Sequence, residues 1–238
     1  MMKWSIIACC LLLSISSFAQ TRKVRGNGNV ISKEKKIENF SKIEVHDGID
    51  VNILNNPSQN KLTIVGDANL HQIIETSVVD GKLILKIKDD IEIVNKTSNF
   101  KISLTSKEIE EISLKGSANV EGTGVNEILK LTINNEGSGT INLKIKTDEL
   151  LINNSSSGAI VAEGNSNLIS IKNSGSGTID LENVSTFFSE VNLLGSGNIL
   201  TNAVNGLDGK LSGSGNIYYK NTKTVNIDNT GSGQVIKK

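Results

Sequence analysis

Arginine, proline, cysteine and aromatic residues are all scarce in this sequence, and each shortage removes a class of explanation. Of 238 residues one is proline, Pro57, and aromatics make up 3%. Arginine occurs only at Arg22 and Arg25, so no guanidinium is available farther along the chain. Basic and acidic residues balance at 25 each. A zero net charge lacks the basic field that phosphate backbones require, which argues against a nucleic-acid partner. Both cysteines, Cys9 and Cys10, and the one tryptophan, Trp4, lie in the first ten residues. Once that segment is removed, disulfides and thiol chemistry are excluded.

Removal is what the N-terminus itself predicts. "MMKWSIIACCLLLSISSFAQ" offers Lys3, an apolar stretch from Ile6 to Ile15, and a small-x-small "SFA". This is the pattern of an export signal cut between Ala19 and Gln20. The apolar stretch is too short for a membrane span. Most of it follows Cys9, so a lipid anchor on that cysteine is not expected. The exported chain is expected in the periplasm, on the outer membrane or outside the cell.

What fills the chain instead is glycine, serine and asparagine, the residues of tight turns. A Gly-Ser-Gly tripeptide or a close variant starts at Gly116, Gly137, Ser156, Gly175, Gly195, Gly213 and Gly231. The spacing stays near 19 residues, which points to a solenoid. The central position is always serine: Ser117, Ser138, Ser157, Ser176, Ser196, Ser214 and Ser232. Four residues after each start stands a β-branched apolar residue: Val120, Ile141, Ile160, Ile179, Ile199, Ile217 and Val235. Four before lie Ile112, Ile133, Ile152, Ile171, Val191 and Ile227, with Gly209 as the exception. Six before lie Leu131, Leu150, Ile169, Leu207 and Val225, with Glu110 and Ser189 out of line. A disordered Gly/Ser linker has no reason to hold isoleucine at fixed offsets from glycine.

Within each repeat the apolar residues alternate, which is the strand period. The sequence therefore predicts an all-β parallel solenoid of about 19 residues per coil, with the aliphatic columns stacked inside as a structural ladder. The serines form a structural corner and, with Asn135, Asn154, Asn173 and Asn229, are expected to hydrogen-bond along the stack. Glycine at the corner is expected either for positive φ or for close passage of neighbouring coils.

Residues 1–19 are thus read as signal, 20–115 as less regular β coils forming a cap, and 116–238 as the repeat, the last two continuous in one domain. "GNGNV" at Gly26 echoes the repeat and places Val30 in the ladder. "SVVDGKLIL" predicts a hairpin turning at Asp80-Gly81, and "NLHQII" a short helical turn.

The phrases "FSKIEVHDGIDVNIL", "ANLHQIIETSVVDGKLILKI" and the serial "GSGNI" and "GSGTI" units resemble the head GIN domain family of autotransporter adhesins, over about residues 26–236. That resemblance implies a right-handed parallel β-solenoid of the pectin-lyase-like β-helix kind, an adhesive role, and no catalytic residues to carry over. With no membrane barrel before its end at "GSGQVIKK", the chain is not expected to be a complete autotransporter.

No catalytic, cofactor-binding or metal-binding residues are assigned. His46 and His71 are the only histidines, and neighbours such as His46 and Asp47 would point to opposite faces of a strand. The positions after each motif lack the aspartate of calcium-binding repeats, and the glycines lack the lysine of a phosphate loop. Asp89-Asp90, Glu110-Glu111 and Asp148-Glu149 are read as solvated turns.

Three readings follow. The first is a non-catalytic secreted or envelope module binding an unknown surface ligand: a glycan, matrix or envelope protein. The second is a polysaccharide-active β-helix, weakened by the missing arginines and stacking aromatics. The third is a structural element that self-associates through sheet edges, against which Lys237 and Lys238 guard the last coil.

Overall fold

The computed structural model describes residues 21–55, 60–97 and 99–238. The expected cleavage point at Ala19 and Gln20 lies outside the described residues. The N-terminal part contains β1 (Arg22–Arg25), β2 (Val30–Lys36), β3 (Lys42–Val45), β4 (Asp50–Asn55) and β5 (Lys61–Asp67). A 3-10 turn over Ala68–Ile73 leads into β6 (Ile74–Val79), β7 (Lys82–Ile87), β8 (Ile91–Asn95), β9 (Lys101–Ser106) and β10 (Glu111–Leu114). The repeat folds as the long strands β11 (Val120–Asn135), β12 (Thr140–Asn154), β13 (Ala159–Asn173), β14 (Ile179–Leu193) and β15 (Ile199–Leu211). Three short strands complete it: β16 (Ile217–Tyr219), β17 (Thr224–Asn229) and β18 (Val235–Lys237).

Pairing between successive coils is parallel. Val51, Val120, Ile141, Ile160, Ile179, Ile199, Ile217 and Val235 are consecutive Cα partners. All are buried except Val235 in the terminal coil. A second column runs Leu83, Ile43, Ile112, Ile133, Ile152, Ile171, Val191, Gly209 and Ile227. Each fully buried aliphatic side chain is worth about 1.5–3 kcal/mol, an upper estimate. The columns are the dominant stabilising element.

The three exceptions each have a physical reason. Gly209 takes φ 145°, where a side chain is strained, and a Cβ there would run into the Val191 carbonyl oxygen. Ser189 is fully buried, and its hydroxyl faces that of Thr201 across the interior at 2.9 Å. Glu110 lies outside the strand and is exposed, while the neighbouring Ile109 is buried in its place.

The N-terminal end departs from parallel stacking. β5 pairs antiparallel with both β9 and β2, and β6 with β7. The β6–β7 turn is Asp80-Gly81, both at positive φ (49° and 72°), as a two-residue hairpin requires. Val30 does not join the ladder. It opens β2, an antiparallel edge strand exposed along its whole length, and is paired with Asp67. "GNGNV" instead forms a loop held by the buried Asp67 carboxylate, which accepts from the backbone N–H of Gly28 at 2.8 Å and of Thr97 at 2.9 Å.

At the other end the chain stops in parallel register, with β17 and β18 as the last strands. The backbone N–H of Lys238 still donates to the Tyr219 carbonyl at 2.9 Å, but its side chain leaves that edge. It turns back to pair with Glu182 at 2.9 Å and sits 5.5 Å from the Tyr218 ring.

Candidate functional site

The glycine-rich corner comes first, because its serines are the residues that look most like a functional row. All seven, from Ser117 to Ser232, are solvent-exposed. No side-chain hydrogen bond engages their hydroxyls among the described residues. Bonding along the stack comes from asparagine and from two flanking serines, Ser156 and Ser174, which donate to the Gly137 and Asn154 carbonyls of the coil beneath. Asn135, Asn154 and Asn173 are buried in one column. Asn154 donates through Nδ2 to Asn173 Oδ1 at 3.0 Å, and Asn173 accepts from the Gly175 N–H and donates to the Gly177 carbonyl. The same corner motif recurs at Asn229 with Gly231 and Gly233.

The corner glycines answer to close approach rather than to positive φ. A Cβ on Gly139, Gly177, Gly197, Gly215 or Gly233 would lie under 3.0 Å from the carbonyl oxygen of the corner beneath it. None of these five has positive φ.

Neither histidine reaches a serine. His46 Nε2 contacts Glu44 Oε1 at 2.7 Å, and His71 Nε2 contacts the Gly66 carbonyl at 3.1 Å. Burial pushes the Glu44 carboxyl up, but hydrogen bonds from His46 and Lys115 outweigh it and hold the group below its ordinary value. Among the described residues no three His, Cys, Asp or Glu side chains are grouped to hold a metal.

A different corner carries the more distinctive surface. Between Thr147 and Leu150 the inward side chains change phase, so two successive residues, Asp148 and Glu149, face outward within β12. Asp148-Glu149 is therefore a bend inside a strand rather than a separate turn. A buried hydroxyl fastens this bend in three coils. Thr147 Oγ1 reaches the Leu129 and Glu149 carbonyls at 3.1 Å each; Ser166 Oγ and Thr186 Oγ1 make the equivalent contacts to Leu168 and Phe188 at 2.9 and 3.1 Å. The sequence signal is a Thr or Ser ten or eleven residues after the starts at Gly137, Ser156 and Gly175, in a phase otherwise apolar.

Outside these hydroxyls the bend displays apolar side chains. Leu129 is 75% exposed, Phe187 60%, Leu168 43% and Val204 42%. The Phe187 and Phe188 rings lie 6.2 Å apart, tilted by 54°. Phe188 covers Gly206, where a Cβ would strike its ring. Composition alone hid this ridge: five phenylalanines are few, yet two sit together on one bend.

Beside the ridge, toward the N-terminal coils, lies a cleft of about 1040 Å³. Ile128, Leu129, Thr132, Asn165 and Asn167 line it together with carboxylates of Glu108, Glu110, Glu111, Glu127 and Asp148. Lys42, Lys130 and Lys146 supply the positive groups. Most charges are already matched: Lys130 with Glu149 at 3.0 Å, Lys146 with Glu127 at 2.6 Å, and Lys82 with Glu111 at 3.1 Å. The bond to Glu111 is the largest influence holding the Lys82 ammonium above its ordinary value. The loop forming one wall is pinned by Asn126, which donates to the Ile109 carbonyl at 2.8 Å and accepts from its N–H.

A stack of parallel coils with an aliphatic interior, antiparallel strands at one end and a ridged bend along one side defines the parallel β-solenoid class. The chain belongs to the family described as "putative auto-transporter adhesin, head GIN domain", which matches residues 39–223. Solved structures share the fold. A putative adhesin from Bacteroides fragilis is similar with TM-score 0.86 at 23% identity, covering 90% of this chain and 100% of its own. A protein from Parabacteroides distasonis named a putative lipid binding protein gives 0.74 at 26% identity, covering 90% and 100%. A putative adhesin from Parabacteroides merdae gives 0.74 at 24%, covering 91% and 99%. No curated protein matches the sequence. Among the described residues no helix is long and apolar enough to cross a membrane.

Proposed function

We propose that this chain is a non-catalytic surface-binding module, exported by an N-terminal signal cut between Ala19 and Gln20, that meets its partner through the ridged bend. The carrying observation is that Leu129, Leu168, Phe187 and Val204 are exposed on one bend in nearby coils, interspersed with polar side chains such as Asp148 and Asn167. Exposed apolar side chains gathered among polar groups mark an interaction site. The family's adhesin description agrees with that use.

The test is adhesion of beads coated with the mature chain to cells and matrix. Saturable attachment, reduced at least tenfold by Phe187→Asp with an unchanged melting temperature, is expected. Attachment indifferent to Phe187, or none on any surface, refutes the reading. Mass spectrometry of the exported protein checks the cut: a first residue other than Gln20 would move it.

A further inference from the structure

The bend and the cleft form one continuous track, and the chemistry along it is specific. Lys130 pairs with Glu149 and Ile128 with Thr147, which puts Leu129 opposite Asp148. The next registers put Asp148 opposite Asn167, bonded at 2.8 Å from Asn167 Nδ2 to Asp148 Oδ1, and Asn167 opposite Phe187. Leu129, Asp148, Asn167 and Phe187 therefore line up across four coils. At roughly 4.8 Å per coil the line is about 14 Å long. Its first three residues line the cleft, and the phenyl ring of the fourth stands just beyond it.

We infer that this track binds a neutral oligosaccharide, an assignment that rests on the surface-binding reading above and names its ligand class. Several features select that chemistry. Two of the cleft's three lysines, Lys130 and Lys146, are engaged by carboxylates, so what remains on offer is chiefly lone pairs and N–H groups in fixed positions rather than a positive field. A sugar hydroxyl donates to a carboxylate and accepts from an ammonium or amide at once, so alternating Asp, Asn, Lys and Thr groups suit it. Five carboxylates against three lysines on the lining oppose a uronate polymer, because like charges repel. The Phe187 ring, 60% exposed, supplies a flat apolar contact for the C–H face of a pyranose ring, and Leu129, 75% exposed, adds an aliphatic contact at the other end of the track. A purely apolar partner would leave the polar groups of the cleft unpaired, which costs binding energy.

The experiment uses the whole mature chain. An array of neutral and uronate oligosaccharides is followed by calorimetry with the strongest neutral hit, on wild type, Phe187→Ala, Asp148→Ala and the exposed control Ser196→Ala. Neutral glycans are expected to bind. Phe187→Ala and Asp148→Ala should each weaken binding about tenfold with unchanged melting temperature, and Ser196→Ala should not. Binding of uronates in preference, absence of any neutral hit, or neutral hits indifferent to both track variants overturns the inference. A parallel arm with phosphatidylcholine and phosphatidylglycerol vesicles separates the lipid alternative: sedimentation with vesicles that Phe187→Ala abolishes, without glycan binding, also overturns it. Beads that still attach to cells through Phe187 while no neutral glycan binds would leave the surface-binding reading standing and sink only this one.

Discussion

Asn154 and Asn173, one coil apart, share a buried amide-to-amide hydrogen bond of 3.0 Å at the glycine corner. Asn173 also accepts from the Gly175 N–H and donates to the Gly177 carbonyl, while Asn154 donates to the Ser156 carbonyl and accepts from its hydroxyl. Asn135 occupies the same column but binds only the Gly137 N–H, and its Nδ2 finds no partner among the described residues. Leucine holds the column at Leu114, Leu193 and Leu211, so it fits sterically. Asn135→Leu is expected to change unfolding free energy by less than about 1 kcal/mol, because one weak bond is exchanged for apolar burial. Asn173→Leu strands two backbone groups and removes one of the two acceptors of the Asn154 amide, and should cost about 2–4 kcal/mol. Urea unfolding of both variants checks the contrast; equal costs would mean the ladder is decorative.

Serine and glycine at the corner should respond in opposite ways to alanine. Ser196 is exposed with an unengaged hydroxyl, so Ser196→Ala is expected within about 0.5 kcal/mol of wild type. Gly197→Ala drives a Cβ against the Gly177 carbonyl oxygen, and backbone in a stacked coil yields poorly. A loss of more than about 2 kcal/mol is expected. Thermal melts distinguish the two, and a harmless Gly197→Ala would mean the coils are farther apart than described.

The column residues offer a graded version of the same test. Ile179 is fully buried between Ile160 and Ile199. Ile179→Val should cost about 0.5–1.5 kcal/mol. Ile179→Asp places an unpaired charge in the interior and should prevent folding. Retention of a cooperative melt by Ile179→Asp would remove the basis for the stacked core.

The repeat was legible because its columns are periodic: Ile141, Ile160 and Ile179 announce their burial at fixed offsets from glycine. Ser189 was legible only as an exception, since its partner Thr201 stands on the far side of the coil, a separation no local pattern encodes. Val30 misled for a related reason. "GNGNV" matches the repeat locally, but pairing with β5 is set by antiparallel contacts with Asp67 and Gly66. The Leu129–Phe187 ridge escaped because it depends on where the inward phase slips, and strand alternation alone does not mark that slip.

Acid sensitivity should begin at the N-terminal loops. Backbone hydrogen bonding from Thr97 is the chief cause holding Asp67 below the ordinary aspartate value of 3.8, with Gly28 adding to it. A depressed carboxyl contributes stability that is present above its unfolded value and lost as pH falls through the folded one. Between pH 6 and about 4 the Gly28 and Thr97 amides are expected to stay protected from exchange, and to lose protection as pH drops below 3.8. In Asp67→Asn that protection should be reduced already at pH 6 and vary little with acid. Identical exchange profiles in the two proteins would show that the carboxylate does not hold the loop.

The terminal coil supplies the last test. Val225, Ile227 and Val235 are only partly buried, although they continue columns that are buried below them. Among the described residues no strand pairs with their outer edge, and such an edge is the usual template for association. Lys238 is drawn aside by Glu182 and Tyr218, which leaves Lys237 as the charge on β18 that discourages a second chain. Wild type should sediment as one species at all concentrations. Lys237→Val should show a sedimentation coefficient that rises with concentration, because the edge then carries a β-branched apolar residue and no charge. Glu182→Gln should not, since Lys238 released toward the edge adds a guard instead of removing one. If wild type itself grows with concentration, the edge is an interface rather than a protected end.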